Sequence, residues 1–542
     1  MIYDKRERSM YIRENIKRYL KNICVSSVPF ILTFFVFTIN AFAAIKVPVD
    51  TSIEPNKDAG TDLYESKCYY HNALPLNISI SSGQDSSVLH DEKYSTSIKL
   101  DEGTLVTVSS ETKMKSLYII WDSMVPEWTL KIGENSYSYG KNNFLHEYIE
   151  LPEETNELTI VIPNAGDQTP IKGLNKMRMS DIIAFDTADV PVWVQKWEPP
   201  CEEADILAFS THSDDEQIFL GGITPIYQAE KNMRVQFAFF TTHWNTYEPI
   251  REHEKLNGLW LAGAKHYPIM GIFEDAYSTT YEGAAQSINE DEAALFETRI
   301  IRRVHPQVVV TQDYLKGEYG HGQHIFMATN TIKAVEFAAD ENYDPESVSK
   351  YGTWNVPKFY VHLNSDEPTV LDMRSPLESF NGKRAIDVAR QAYLCHQTQQ
   401  WCDFSVDDYG PYSAANWGLY KTNVGPDVAK NDLMENLVSY DEQERIRLEE
   451  EEKQRLEEEK KKAEEEEKER LEKEALEKEQ AENEDDGKDK DKDKTKDESS
   501  LSGTEIFVIA AIVVIVLMAG GFGAYFIISS NQKKKRRKKR RR

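Results

Sequence analysis

Residues 206–216 read Ile206-Leu-Ala-Phe-Ser-Thr-His212-Ser213-Asp214-Asp215-Glu216, an apolar run that ends abruptly in a histidine and three acids. A buried strand delivering polar groups at its carboxyl edge is how open α/β sheets build sites, because ligands bind outside the strand ends. Further along the chain stands a second polar cluster, Tyr319-Gly-His321-Gly-Gln-His324. Around them lie other short apolar runs, at Val235–Phe240, Val308–Val310 and Phe359–Leu363, and segments able to form helices separate most of them. That alternation predicts an α/β domain over residues 203–438: a Rossmann-like, mostly parallel sheet with helices on both faces.

Upstream, residues 45–198 read as short strands. Thr104–Ser109, Ser116–Trp121, Trp128–Ile132 and Glu157–Ile162 are β-branched or aromatic runs with Gly, Asn, Asp and Pro between them. This spacing predicts an all-β sandwich or jelly roll. Downstream, residues 441–500 hold 28 acids and 16 bases, a net of -12. Their Glu-to-Lys/Arg pairs at helical spacing predict a solvated helix, and the Asp, Lys, Gly and Ser that follow predict a loose segment, so 441–503 reads as a stalk.

Both ends resemble membrane-handling segments. Basic residues Arg13, Lys17, Arg18 and Lys21, an apolar run and Ala41-Phe42-Ala43-Ala44 follow the order of a secretory signal over residues 1–43. Ile506–Ile528 carries no charge, and residues 533–542 are all Lys or Arg. A transmembrane helix at 506–528 with a basic cytoplasmic tail at 529–542 is the expectation, which puts the protein in the cell membrane as a single-pass chain with its catalytic domain outside. The whole 542-residue chain carries a formal charge of -27. An acidic body argues against nucleic acid as a partner, since phosphate binding needs clustered positive charge. The five cysteines include no Cys-x-x-Cys. Cys395 and Cys402 form the pair closest in sequence among those an exported chain could bond.

His212 and Asp215 stand three apart on the turn leaving the first α/β strand, and can share one face. His324 completes a His-Asp-His set with room for water, the design of a catalytic zinc site, although other divalent metals suit the same donors. Asp214 then lies beside the metal, able to take a proton from water. His321, with Tyr319 assisting, is suited to stabilise the developing oxyanion or to protonate the leaving group.

Four stretches together bring a family into view. His212-Ser213-Asp214-Asp215-Glu216 resembles the His-Pro-Asp-Asp-Glu signature of PIG-L/LmbE-like de-N-acetylases. Arg251-x-x-Glu254 with Ala262-Gly263 resembles that family's Arg-x-x-Glu helix, and Tyr319-Gly-His321-Gly-Gln-His324 its second histidine motif. His396-Gln-Thr-Gln399 is similar to a further short motif near the family's end. The resemblance implies a zinc-dependent hydrolase removing acetyl from N-acetylglucosamine-type sugars. It makes His212, Asp215 and His324 metal ligands, Asp214 the general base, His321 the acid or oxyanion partner and Arg251 a substrate contact. Ser213 and Gln323 depart from it, replacing a proline and an acid. The β-rich half resembles, by pattern, discoidin-like carbohydrate-binding modules. The competing expectation is a catalytically silent glycan-binding surface protein or adhesin.

Overall fold

The computed structural model describes residues 73–91, 96–165, 177–243 and 250–485. Residues 1–450 fall in one compact unit and residues 451–542 in a second.

The β-rich half comprises β1 (Asn77–Ile80), β2 (Ile98–Leu100), β3 (Leu105–Trp121), β4 (Trp128–Ile132), β5 (Asn135–Tyr139), β6 (His146–Val161) and β7 (Met177–Phe185). All seven join one antiparallel sheet in the order β2-β7-β3-β6-β4-β5, with β1 paired to β3. The expected sandwich or jelly roll is therefore corrected to a single curled sheet. The reason lies in β3 and β6, which are 17 and 16 residues long. Their pairing slips between Ser109 and Met114 and again before Ser116, and such irregularities bend a sheet without splitting it. One half of β3 then pairs with β1 and the other with β7. One side buries Val106, Val108, Leu117, Ile119 and Trp121. On the other side Tyr118, Ile120, Ile183 and Phe185 form a smaller core with Trp193 and Val194.

The second half begins with β8 (Ile206–Ser210), α1 (Asp215–Ile218), β9 (Val235–Phe239), β10 (Thr241–Thr242) and α2 (Ile250–Leu261). There follow β11 (Phe273–Glu274), α3 (Glu290–Val304), β12 (Val308–Thr311), α4 (Gly322–Phe337), β13 (Lys358–His362), β14 (Thr369–Val370), α5 (Ala385–Tyr393) and β15 (Asn416–Thr422). The six-stranded sheet has the order β14-β15-β13-β12-β8-β9. Strands β9, β8, β12 and β13 run parallel, whereas β15 is antiparallel to both β13 and β14. The expected Rossmann-like, mostly parallel sheet is thus corrected to a mixed one. The parallel strands are buried on both faces and read as apolar runs. Asn416-Trp-Gly-Leu-Tyr-Lys-Thr422 mixes exposed and buried positions, so it carries no such signal. Alternate residues of the parallel strands feed two cores. Ile206, Ala208, Val308 and Val310 pack with α2 and α5 residues, while Leu207, Phe209 and Val309 pack with α3 and α4 residues.

α6 (Tyr440–Asp485) follows. Its residues from Glu444 to Lys478 are exposed and tied by pairs such as Arg470–Glu467 at 2.8 Å, so it is a charged, solvated helix as composition predicted. Among the described residues no helix is long and apolar enough to cross a membrane. The expected single-pass placement in the cell membrane is accordingly withdrawn, and the segments 1–43, 506–528 and 529–542 that suggested it lie outside the described residues. Cys395 carries a free thiol, so the Cys395–Cys402 bond is absent, and burial pushes that thiol up to about 12.

Close packing behind α1 leaves one position no room for a side chain. A Cβ on Gly221 would lie 2.3 Å from the Gln217 carbonyl oxygen and 2.6 Å from Ala389 Cβ on α5. Gly221→Ala is expected to destabilise the protein by about 1–3 kcal/mol, read as a lower urea midpoint with an unchanged slope.

Candidate metal centre

Strand order reverses at β8, with β9 on one side and β12 on the other. Chains leaving neighbouring strands in opposite directions open a crevice at their carboxyl ends. The ends of β8 and β12 are tied together there: Thr211 donates to Gln312 Oε1 from its amide at 2.9 Å and from its hydroxyl at 2.5 Å.

The turn after β8 is built by its own acids. The His212 amide donates to Asp215 Oδ2 at 2.8 Å, and the Asp214 amide to Glu216 Oε2 at 2.8 Å. Asp214 sits at φ 129°, ψ -32°, a conformation costing a non-glycine residue on the order of 1–3 kcal/mol. The surrounding hydrogen bonds hold it there, including Gln217 and Ile218 amides on its carbonyl. Ser213, where the resembling family has proline, uses its hydroxyl to contact His243 Nδ1 at 3.2 Å.

After β12 the chain presents His321 as the residue capping α4 and His324 in the first turn of that helix. His212 Nδ1 lies 3.1 Å from Asp215 Oδ2 and 3.1 Å from His324 Nε2, and His324 Nε2 lies 3.1 Å from Asp215 Oδ2. The His321 ring stacks on His324 at 4.7 Å and tilts against His212 at 4.5 Å. His212, His321 and His324 each offer a ring nitrogen within 4.8 Å of the others, a group able to hold a metal ion.

Which nitrogens carry lone pairs follows from what stands behind them. His324 Nδ1 is 3.0 Å from Glu318 Oε2. Glu318 is an ionised acceptor: burial raises its carboxyl, but His324 and His362 outweigh that and bring it down to about 2. His324 Nδ1 therefore carries the hydrogen, leaving the lone pair of the neutral ring at Nε2. His212 Nε2 is 2.8 Å from Gln323 Oε1, and Gln323 Nε2 donates to the Glu274 carbonyl, which fixes the amide's orientation. His212 Nδ1 is thus the other lone pair, and both face Asp215. Three donors 3.1 Å apart match a tetrahedral zinc site, whose bonds of about 2.0–2.1 Å set donors about 3.3 Å apart. The acidic surroundings that suit a metal cation also favour a proton on His324. Burial disfavours a charged His324, but Asp215 and Glu318 overcome it and push it up to about 10.

The remaining expected residues are placed differently from one another. Asp214 is buried, and desolvation, opposed by Arg251, pushes its carboxyl up to about 7. His321 Nδ1 is buried, and burial together with His212 and His324 holds the ring well below its usual value. Arg251 is buried, donating to the Ser213 carbonyl at 2.7 Å and lying 3.2 Å from Asp275 and 3.5 Å from Asp214. It braces the turn. Tyr319, at φ 56° and 40 % exposed, packs on Tyr412 at 4.2 Å and Phe404 at 4.8 Å at the surface.

Several residues escaped the sequence reading. Glu318 holds both His324 and His362, the latter at 2.6 Å. Asp275 lies 3.5 Å from His212 Nε2 and 3.3 Å from His243 Nε2. Glu216 meets His396 at 2.6 Å, which gives the His396-Gln-Thr-Gln399 motif its contact. A carboxylate close before a ligand histidine is a usable signal, since metal-binding histidines usually give their other N–H to one. Nothing local in the sequence ties Asp275 to His212.

Residues 207–335 match the family model described as PIG-L: GlcNAc-PI de-N-acetylase, so the chain carries a PIG-L family domain there. The match does not extend to the β-rich half. A 1D-myo-inositol 2-acetamido-2-deoxy-alpha-D-glucopyranoside deacetylase from Frankia casuarinae is 42% identical over 72 residues, 13% of this chain and 22% of that protein. One from Streptomyces scabiei is 35% identical over 101 residues, 19% of this chain and 30% of that protein. The chain thus spans only about a fifth to a third of the length of these curated relatives. Among solved structures, the N,N'-diacetylchitobiose deacetylase from Pyrococcus horikoshii is 17% identical, with a TM-score of 0.29 over 37% of this chain and 72% of its own.

Because Glu318 fixes the ring of His324, Glu318→Gln is expected to weaken any divalent-metal binding at this site by about 10–100-fold. Competition with a chromophoric chelator measures this directly.

Proposed function

We propose that this protein is a zinc-dependent de-N-acetylase that hydrolyses the acetamide of N-acetylglucosamine-type sugars. The observation that carries the reading is the triangle of His212 Nδ1, Asp215 Oδ2 and His324 Nε2, each side 3.1 Å. In this reading those three residues hold the metal, with the other ring nitrogen of each histidine already committed to an acceptor. The PIG-L domain match and the deacetylase relatives support the reaction class.

A divalent metal bound there supplies Lewis acidity, which polarises an amide carbonyl and makes water a nucleophile near neutral pH. The chain's own residues do the rest. Asp214, buried beside Asp215 and held in a strained turn, accepts the proton of the attacking water. Desolvation raises its carboxyl above the usual carboxylate range, which makes it a better proton acceptor than an exposed aspartate. His321, whose ring stacks on His324 and tilts against His212, stays neutral and hydrogen-bonds the developing oxyanion through a ring N–H, and the proton taken up by Asp214 passes on to the departing amine. Arg251 keeps Asp214 and the Ser213 carbonyl in register.

A sugar ring presents apolar faces that stack on aromatic side chains. Tyr277, 80 % exposed, stands edge-on to His321 at 5.4 Å. It offers such a surface beside the catalytic groups, which is compatible with a carbohydrate substrate.

The reading makes two separable demands. Asp214→Asn should keep the metal, measured by elemental analysis, and lose about 10²–10⁴-fold in acetate release from N-acetylglucosamine substrates. His324→Ala should lose the metal itself. Full metal occupancy in His324→Ala, or full activity in Asp214→Asn, contradicts these assignments.

A further inference from the structure

Five consecutive charged or titratable residues on α2, Arg251-Glu-His-Glu-Lys255, are all buried. Burying such groups is costly unless each is paired, and the pairing divides the helix into two faces with different duties.

The inner face serves the site. Arg251 donates to the Ser213 carbonyl. Glu254 accepts from the Thr398 amide at 2.8 Å and its hydroxyl at 2.6 Å. A Cβ on Gly258 would lie 3.1 Å from the Ala392 carbonyl and 3.2 Å from His396 Nε2, so the helix backbone rests against that histidine. His396 in turn holds Glu216, which holds the Asp214 amide. The helix therefore reaches the turn 212–216 by two routes, one through Arg251 and one through His396 and Glu216.

The outer face belongs to the β-rich half and the segment that follows it. His253, Asn257 and Trp260 recur at i, i+4 and i+7 and so share one stripe of the helix. His253 Nδ1 lies 2.9 Å from His146 Nε2 on β6, and His253 Nε2 lies 3.5 Å from Asp122 Oδ1. His146 is backed by the Tyr118 hydroxyl at 3.0 Å, and Asp122 by Ser97 at 2.7 Å and Arg178 at 3.2 Å. Asn257 accepts from Gln195 at 2.6 Å, and Trp260 donates to the Val192 carbonyl at 2.7 Å. Ile250, the first residue of α2, packs on the small core of Tyr118, Ile120, Ile183 and Phe185.

We propose that the β-rich half positions the catalytic turn through one end of its sheet: His146 and Asp122, with Gln195 and Val192 of the segment that follows, clamp α2 and so hold the turn 212–216 in its working geometry. His253, Asn257 and Trp260 are positioning residues, acting on the reaction through Arg251 and Glu216. For its activity readout the proposal rests on the deacetylase reading above.

The test uses the full chain with three substitutions. His253→Leu removes both bonds to the sheet, His253→Gln restores polar capacity, and Leu130→Ala weakens the core of the sheet itself without touching α2. Metal content, kcat and KM on an N-acetylglucosamine substrate, and amide exchange over 213–217 and 250–261 are measured on each. Expected for His253→Leu are unchanged metal stoichiometry, a fall of about tenfold or more in kcat/KM, and faster exchange in both segments. His253→Gln should recover most of each loss, and Leu130→Ala should lower thermal stability while sparing kcat/KM and exchange at 213–217. The proposal is overturned if His253→Leu leaves exchange at 213–217 unchanged, or if Leu130→Ala reproduces its effects. Wild-type protein that binds zinc and releases no acetate refutes the deacetylase reading, and the exchange measurement still decides the clamp.

Discussion

Two imidazole nitrogens and a carboxylate oxygen are held 3.1 Å apart in the interior, and much of the surrounding architecture exists to keep them there. Electron-rich donors at that separation repel unless a cation sits among them, so each ring must be fixed from behind. Glu318 does this for His324 and Gln323 for His212. Glu318 also binds His362 at the end of β13, and His362 reaches the Ser413 carbonyl. The arrangement of three donors thus propagates through the carboxyl ends of the parallel strands.

The same logic explains why so much charge is buried. Asp275 is pulled far down from its usual range: burial raises it, and His212, His243 and Arg251 more than reverse that. Glu252 behaves likewise, with Lys255 and His243 outweighing burial. Lys255 also lies over the Phe239 ring at 4.3 Å. Removing one partner from such a network leaves an uncompensated charge, whose cost of about 3–5 kcal/mol exceeds that of most surface changes. The two departures from the family pattern fit within it. Ser213 gains a contact to His243, and Gln323 orients His212 in place of charging His321.

The two halves of residues 1–450 are consequently joined by polar bonds as well as by apolar packing. Leu145 donates its amide to the Tyr267 hydroxyl at 3.1 Å, and Phe144 and Leu145 belong to the core of the second half. Helix α2 carries this joint, which is why its outward stripe is as polar as its inward one.

The local sequence determined a good deal. His212 and Asp215 are three residues apart, so any tight turn after the apolar strand brings them together, and His321 and His324 meet for the same reason at the start of α4. The parallel strands announced themselves because residues buried on both faces must be apolar. The charged helix α6 was legible in composition alone. What the tertiary structure decided were relations between distant residues: Asp275 against His212, Glu216 against His396, Glu254 against Thr398, and Arg251 against the Ser213 carbonyl. It also decided that the long strands β3 and β6 curl as one sheet, because the slips in their pairing are invisible without a partner strand. The antiparallel strand β15 and the mixed sheet it creates were hidden for a related reason, since a half-exposed strand is apolar at only some positions. Residue type and short spacing fix which donors can share a turn, whereas pairing across the sheet depends on the register and packing of segments far apart in the chain.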